Sequence, residues 1–251
     1  MRTAALLLLL AAWACPAAAD DRQALLEANR LYESQQFEEA ARRYQELTRR
    51  HPRSASAHFN LGNALFQMNR LGPSIVSYQR AFDLRPRDGD LRHNLDFALR
   101  RAGENLIPTG TPPALFILFH LFSDAELAAL HWLGFWLAGL LGAAYLLSGR
   151  ARVRLRPWLT GTVVFWALAG AWWGARGLTA VPSPGVTVVH TEARSGPSEN
   201  FPVSFKVPEG RRVSCLGLQE GYVEIGVLKE GLKGWVPVET VERIRLRGTS
   251  G

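Results

Sequence analysis

Cysteine is nearly absent from this chain, which has only Cys15 and Cys215. If an N-terminal leader is removed after Ala19, one thiol remains, so no disulfide can close within the mature chain and no Cys/His metal framework can be built. Catalytic signatures are missing too. There is no HExxH, no GxSxG, no Walker loop, and no GxGxxG set between a strand and a helix. The six histidines are scattered; His120 and His131 are expected to flank a membrane entry, and Asp124 and Glu126 read as helix-start residues. No catalytic residue, cofactor or metal is therefore expected, and the chain is not read as an enzyme. Lysine is confined to positions 206, 229 and 233, so the net charge of +7 rests on arginine. The densest basic cluster lies between two hydrophobic spans, where topology explains it, and nucleic acid is not an expected partner.

What is present is unevenly placed. Apolar residues make up 47% of the chain, and eight residues are Trp. The N-terminal third and the C-terminal quarter are rich in charge, whereas Asp124 to Leu178 is nearly uncharged apart from a group of arginines in its middle. That is the pattern soluble, membrane, soluble. Residues 1–19 have the parts of a secretory signal: Arg2, an apolar core around Leu6 to Leu10, and Ala17-Ala18-Ala19 before Asp20. A retained anchor and lipidation at Cys15 are the alternatives.

A first membrane helix is expected over residues 124–148. Ser123 and Glu126 form a capping box, and the 21 residues Leu127 to Leu147 carry no charge. At 1.5 Å per residue they reach about 31 Å, enough for a hydrocarbon core of roughly 30 Å. A second helix is expected over 157–177, opening on Pro157 in its first turn and closing on Trp172, Trp173 and Arg176, which suit the interface. A soluble buried hairpin is the alternative. The loop 149–156 between them carries Arg150, Arg152, Arg154 and Arg156 and no acid. The positive-inside rule keeps such a loop in the cytoplasm and both flanking domains on the other side. Gly134, Ala138 and Gly142 fall four apart, as do Gly170 and Gly174, a spacing that lets helices pack closely within the hairpin or between copies. Residues 104–122 read as a Pro-rich linker that includes a short interfacial helix, and 178–185 as a stiff linker leaving the membrane.

The N-terminal third repeats itself. Phe37 and Leu71, Tyr44 and Tyr78, and Pro52 and Pro86 are each 34 residues apart, as are the small residues Ala28 and Gly62, and Ala40 and Ser74. This is the tetratricopeptide period. The match implies an all-α solenoid over 21–103, with repeats 21–54 and 55–88 and a capping helix 90–101 of first-helix character. By resemblance to that family, a peptide-binding groove would be lined by Leu25, Asn29, Tyr32, Phe59, Asn60, Asn63, Phe66, His93, Asn94 and Phe97. The mixture of amides and aromatics suits an extended peptide. Carboxylate-binding members use Lys and Arg beside Asn, and Leu25 and Asp90 stand in those places here, so a carboxylate clamp is not expected. Ordinary inter-repeat packing is the alternative for these side chains.

From residue 186 to 246 the pattern switches to short alternating runs. Strands are expected at 186–190, 203–207, 212–218, 222–226 and 234–238, a small all-β barrel. Glu192-Ala-Arg-Ser-Gly-Pro-Ser198, Pro208-Glu-Gly210 and Gly234-Trp-Val-Pro237 resemble the bacterial SH3-like domain in content and order. Trp235 is expected as a wall of the barrel, with a ligand platform as the alternative.

Repeats, an apolar hairpin and an SH3-like barrel, in that order, resemble the BatE-type proteins of the aerotolerance (Bat) gene cluster. The most telling piece is His93-Asn-Leu-Asp-Phe-Ala98 leading through 108–113 into the first membrane helix. Membership implies work beside membrane von Willebrand A-domain proteins and a MoxR-type ATPase. The expected protein is a two-pass bacterial inner-membrane adaptor with both modules periplasmic, touching the lipid bilayer and protein partners. An envelope anchor whose barrel binds peptidoglycan is the second reading.

Overall fold

The computed structural model describes residues 16–150, 152–227 and 230–244, with backbone alone at 16–20. Most of the expected leader, with Cys15, lies outside the described residues, and so do the last two residues of the expected barrel. Five helices come first: α1 (Pro16–Glu33), α2 (Phe37–Arg50), α3 (Ala55–Gln67), α4 (Leu71–Leu84) and α5 (Gly89–Arg101). They fall where the 34-residue period places two helix pairs and a cap. Ser54 and Asp88 cap α3 and α5 by accepting from Ala57 N (3.3 Å) and Leu91 N (3.2 Å), bonds that satisfy otherwise orphaned first-turn amides.

The period reaches the turns as well. Gln35, Asn69 and Gly103 each follow a first helix with positive φ, at 61°, 59° and 73°. The next amide, of Gln36, Arg70 or Glu104, donates back to the carbonyl of Leu31, Leu65 or Leu99 at 2.8–2.9 Å. This is the Schellman closure, in which a left-handed residue lets the chain turn back on the last orphan carbonyls. Its third occurrence marks α5 as a true first helix.

Two clusters form the helical core. Ala28, Ala40, Tyr44, Leu47, Leu61 and Leu65 pack in the first repeat. Ile75, Tyr78, Phe82, Leu91, Leu95 and Leu99 lead the second. This second cluster is not purely helical: Leu106, Phe116, Val186 and Ile244 belong to it. The expected linker 104–122 is therefore seated rather than loose. Its short helix α6 (Pro113–Phe119) stacks Phe116 on Phe82, ring centroids 6.5 Å apart, while Leu115, Ile117 and Leu118 stay exposed.

Next come two long apolar helices, α7 (Asp124–Leu147) and α8 (Arg152–Thr179). The capping box at Ser123 and Glu126 forms as read. By length and composition α7 is the helix, among the described residues, able to cross a membrane. The expected Arg-rich loop 149–156 is shorter than read, because Arg152, Arg154 and Arg156 already belong to α8 and Pro157 lies inside that helix rather than in its first turn. Arginine is a good helix former, and the Arg152 guanidinium reaches back to the carbonyls of Tyr145 and Leu146 (both 3.2 Å), closing the turn. Two of the small residues pack within the hairpin: Gly134 against Phe165 and Trp166, and Gly170 against His131.

The C-terminal part is one seven-stranded antiparallel sheet. Its strands are β1 (Pro184–Thr187), β2 (Thr191–Arg194), β3 (Val203–Val207), β4 (Arg212–Gln219), β5 (Tyr222–Val227), β6 (Leu232–Pro237) and β7 (Val241–Arg243), in the order β3-β2-β6-β5-β4-β1-β7. Alternation buries Ala193, Val213, Val223, Ile225 and Val236 in one cluster, against which Phe205 of one edge strand and Val241 of the other both pack. The sheet is thus curled on itself. Two strands were not anticipated: β2, whose polar Thr-Glu-Ala-Arg run reads as loop, and β7, too short for a pattern. The expected first strand ends early, at Thr187. Trp235 corrects the barrel-wall reading. It sits between the buried Gly234 and Val236 on the strand, so its ring lies on the opposite face, in register with Glu224 and Arg194.

The largest departure is the docking of this sheet onto the repeats, where separate modules on stiff linkers were expected. Arg80 of α4 holds β7 through the carbonyls of Arg243 (2.7 Å) and Ile244 (3.0 Å) and the carboxylate of Glu242 (2.8 Å). Glu209 accepts from Gly72 N at 2.8 Å. Glu104, only 3% exposed, faces Arg211 (3.4 Å) and Arg212 (3.5 Å). Even the exit from α8 is tied down, since Pro182 O accepts from Ser214 Oγ and Ser183 O from Cys215 N.

Candidate peptide-binding groove

The inner face of the repeat stack is built from first helices α1, α3 and α5, with α2 and α4 behind them. The tyrosines of the second helices reach forward to it. Tyr44 donates its hydroxyl to Asn29 Oδ1 at 2.8 Å, and Asn60 Nδ2 donates to the same oxygen at 3.0 Å. One period later Tyr78 donates to Asn63 Oδ1 at 2.8 Å, joined by Asn94 Nδ2 at 3.1 Å. The two units superpose residue for residue at a shift of 34. Both phenols are buried, which pushes the Tyr44 hydroxyl up to about 12 and Tyr78 further up, so both remain protonated donors.

Each unit uses one face of its amides and leaves the other. The Nδ2 of Asn29 and Asn63 and the Oδ1 of Asn60 and Asn94 make no hydrogen bond among the described residues. A peptide backbone offers the complementary pair, one C=O acceptor and one N–H donor per residue. Two adjoining hollows border these amides. One, of about 320 Å³, is lined by Tyr32, Asn63, Phe66, Gln67, Tyr78, His93, Asn94 and Phe97. The other, of about 210 Å³, is lined by Asn29, Tyr32, Glu33, Tyr44, Asn60 and Asn63. They share Tyr32 and Asn63 and so form one groove.

Apolar contacts sit at one end of it. Phe66 and Phe97 meet edge to face at 5.7 Å, the Arg101 guanidinium covers the Phe66 ring at 5.4 Å, and Phe97 remains 51% exposed. Arg101 is held there by Asn69 Oδ1 (2.7 Å). A half-exposed ring beside a pinned one is a ready contact for an apolar side chain.

Eight of the ten residues read from the sequence therefore lie together: Asn29, Tyr32, Asn60, Asn63, Phe66, His93, Asn94 and Phe97. Leu25 does not join them; it borders a separate hollow with Asp21, Arg22 and Leu47. Phe59 packs against the core and the Tyr78 ring, centroids 6.0 Å apart, and lines neither hollow. The sequence reading missed Tyr44 and Tyr78 as groove residues and used them as markers of the repeat period. Their hydroxyls, each 15 residues after an Asn, were the signal.

The matched side-chain ladder and the repeated turns define a tetratricopeptide-repeat module. The tetratricopeptide repeat family model matches residues 25–89, about a quarter of the chain. No curated protein matches the sequence. Tetratricopeptide repeats generally mediate protein–protein interactions, and the groove has the chemistry for that.

Proposed function

We propose that the chain is a non-catalytic, membrane-anchored scaffold whose repeat groove holds an extended segment of a partner protein. The observation that carries this reading is the pair of Asn–Tyr–Asn units, which lock the amides in place and leave one donor and one acceptor of each unit for a peptide backbone. Both α7 and α8 would span the bacterial inner membrane. The arginines at 150, 152, 154 and 156 would hold the connection between them on the cytoplasmic side. The repeats and the curled sheet, read as an SH3-like barrel, would then face the periplasm behind a cleaved leader. The order of parts resembles the BatE type, which supports a place beside membrane von Willebrand A-domain proteins in a Bat-type envelope complex. In vivo photocrosslinking from position 67 or 97, with partners identified by mass, tests the reading. Adducts to one envelope protein are expected; a chain that never crosslinks there, in cells expressing it natively, sinks the idea.

A second reading has one observation in its favour. Trp235 lies on the outer face of the sheet beside Arg194 and Glu224, where an aromatic platform flanked by charges suits a cell-wall peptide. Retention of the full chain in detergent on purified peptidoglycan sacculi, lost in Trp235→Ala, would favour it over the scaffold.

A further inference from the structure

The tip of the helical hairpin, where α7 passes into α8, carries four arginines in seven residues: Arg150, Arg152, Arg154 and Arg156. All four are exposed. Arg152 serves the fold, since its guanidinium closes the turn on the carbonyls of Tyr145 and Leu146 and covers the Tyr145 ring at 5.8 Å. The guanidiniums of Arg150, Arg154 and Arg156 make no hydrogen bond or ion pair among the described residues.

The chain supplies no counter-charge for them. From Leu127 to Thr191 the sequence has no acid, and residues 1–15, 228–229 and 245–251, outside the described set, have no acidic side chain either. The acids of the hairpin, Asp124 and Glu126, stand at its opposite end. α7 is 24 residues long, about 36 Å at 1.5 Å per residue, several times the screening length of about 8 Å at physiological salt. The neutralising anion has to come from outside. Its shape follows from the placement of the arginines. With about 3.6 residues per turn, Arg152 and Arg156 share one side of α8 and Arg154 takes the other, while Arg150 lies in the turn before them. The cations ring the tip instead of converging on one pocket, which suits a layer of anionic groups. Apolar side chains stand among them: Leu147, Val153 and Trp158 are 87%, 86% and 71% exposed. A nucleic acid or an acidic soluble protein would leave these in water, whereas the headgroup–acyl boundary of a bilayer takes both kinds.

Position completes the argument, and here it rests on the membrane reading above. If α7 and α8 cross a bilayer, the uncharged run Leu127 to Leu147 leaves the tip at headgroup level. We propose that the arginine tip binds anionic phospholipid of the phosphatidylglycerol class and gathers it around the hairpin. A guanidinium holds a phosphate through paired N–H donors. The phosphate of phosphatidylcholine is balanced by the ammonium of its own headgroup and that of phosphatidylglycerol is not, so the arginines distinguish the two.

The test uses the full chain in nanodiscs of phosphatidylcholine that hold a small, equal loading of one of two probes. These are phosphatidylglycerol and phosphatidylcholine, each with a diazirine at the glycerol end of an acyl chain. Adducts at the tip, residues 147–158, should be at least about five-fold more abundant from the phosphatidylglycerol probe, the preference that one arginine beside an anionic headgroup confers. Equal labelling overturns the proposal. Arg150→Gln, Arg154→Gln and Arg156→Gln combined keep Arg152 on its carbonyls and keep good helix formers in place. That variant should lose the preference with its far-ultraviolet circular dichroism unchanged, and a preference retained overturns the proposal. The parent chain in about 1 M salt, where screening shortens to about 3 Å, should show a smaller preference, and indifference to salt also overturns it. Soluble glycerol phosphate competing as well as unlabelled phosphatidylglycerol would assign the tip to a free phosphate and overturn the lipid. In cells, an adduct to an acidic protein from a photocrosslinking residue at position 153 would reassign the arginines to that protein. A hairpin without adducts from either probe would overturn the membrane reading, and the proposal with it. Adducts along α7 with equal labelling of the tip would overturn the proposal alone.

Discussion

The Tyr78 ring occupies the space that a β-carbon on Gly62 would need, with ring atoms 2.6 and 2.7 Å from that position. The ring cannot retreat freely, because its hydroxyl is committed to Asn63 and it packs against the Phe59 ring. Gly62→Ala should therefore destabilise the repeats by about 1–3 kcal/mol through overpacking, despite the better helix propensity of alanine. Tyr78→Phe, which keeps the ring and loses the bond, should cost about 0.5–1.5 kcal/mol. Urea unfolding of the full chain in detergent, followed by far-ultraviolet circular dichroism, orders the two. A Gly62→Ala chain as stable as the parent would refute the close packing.

The turn after α1 offers the opposite test. Gln35 adopts φ 61° where the equivalent of the third repeat is Gly103. A left-handed backbone costs an L-residue about 1–2 kcal/mol, partly offset by the greater unfolded freedom of glycine. Gln35→Gly should raise stability by up to about 1 kcal/mol, and Gln35→Val should lower it by at least as much. Thermal midpoints that move the other way would remove the Schellman account of the turn.

These two positions show what a reader of the sequence can and cannot see. The helix pairs, the cap and the first residues of α7 follow from local rules of spacing and capping, and they stand where those rules put them. Tyr44 and Asn29 are also on period, but nothing local says that a buried tyrosine will spend its hydroxyl on a groove amide. The docking of the sheet is further out of reach. Arg80 meets Ile244 across 164 positions and Gly72 meets Glu209 across 137, and a few such polar contacts leave no periodic trace. For the same reason Leu25 and Phe59 were placed in the groove by family analogy, while packing drew them elsewhere.

The interface between repeats and sheet centres on Glu104, buried against Arg211 and Arg212. Glu104→Gln removes the charge both arginines face and keeps the shape. It should weaken docking by about 2–3 kcal/mol, the range for lost charged hydrogen bonds at a site where the arginines keep some solvent. Limited proteolysis provides the readout: cleavage near residues 180–184, where the backbone is held by Ser214 and Cys215, should accelerate in the variant. Equal digestion rates would show that Arg80, Glu209 and the apolar contacts of Val186 and Ile244 hold the sheet without the Glu104 charge.

His58 sets a pH dependence. It is 2% exposed, and its Nε2 lies 3.0 Å from the Pro52 carbonyl oxygen, so this nitrogen carries the proton as the donor. Burial holds its pKa below the ordinary 6.5, with Arg80 adding in the same direction. The unfolded chain then binds a proton before the folded one does, so stability rises with pH through this window. The contribution is whole above about 6.5 and is lost as pH falls from there toward the folded pKa. His58→Gln should flatten the fall in melting temperature below pH 6.5. Some slope should persist from His120, which burial shifts the same way.

The groove itself is best tested where stability and recognition separate. Phe97 is half exposed and touches the rest of the protein through Phe66. Phe97→Ser should therefore leave unfolding within about 0.5 kcal/mol of the parent, as surface changes usually do. If its ring is the apolar contact for the partner, the same change should erase the crosslink formed from position 67, where the exposed Gln67 lines the same hollow. Asn63→Leu should behave differently. It orphans the Tyr78 hydroxyl and the Asn94 amide together, which costs about 1–3 kcal/mol for each buried group left unsatisfied. Loss of the partner in Asn63→Leu alone would be ambiguous between binding and folding. Loss in Phe97→Ser, at full stability, would not be, and a partner retained by Phe97→Ser would move the recognition surface away from this end of the groove.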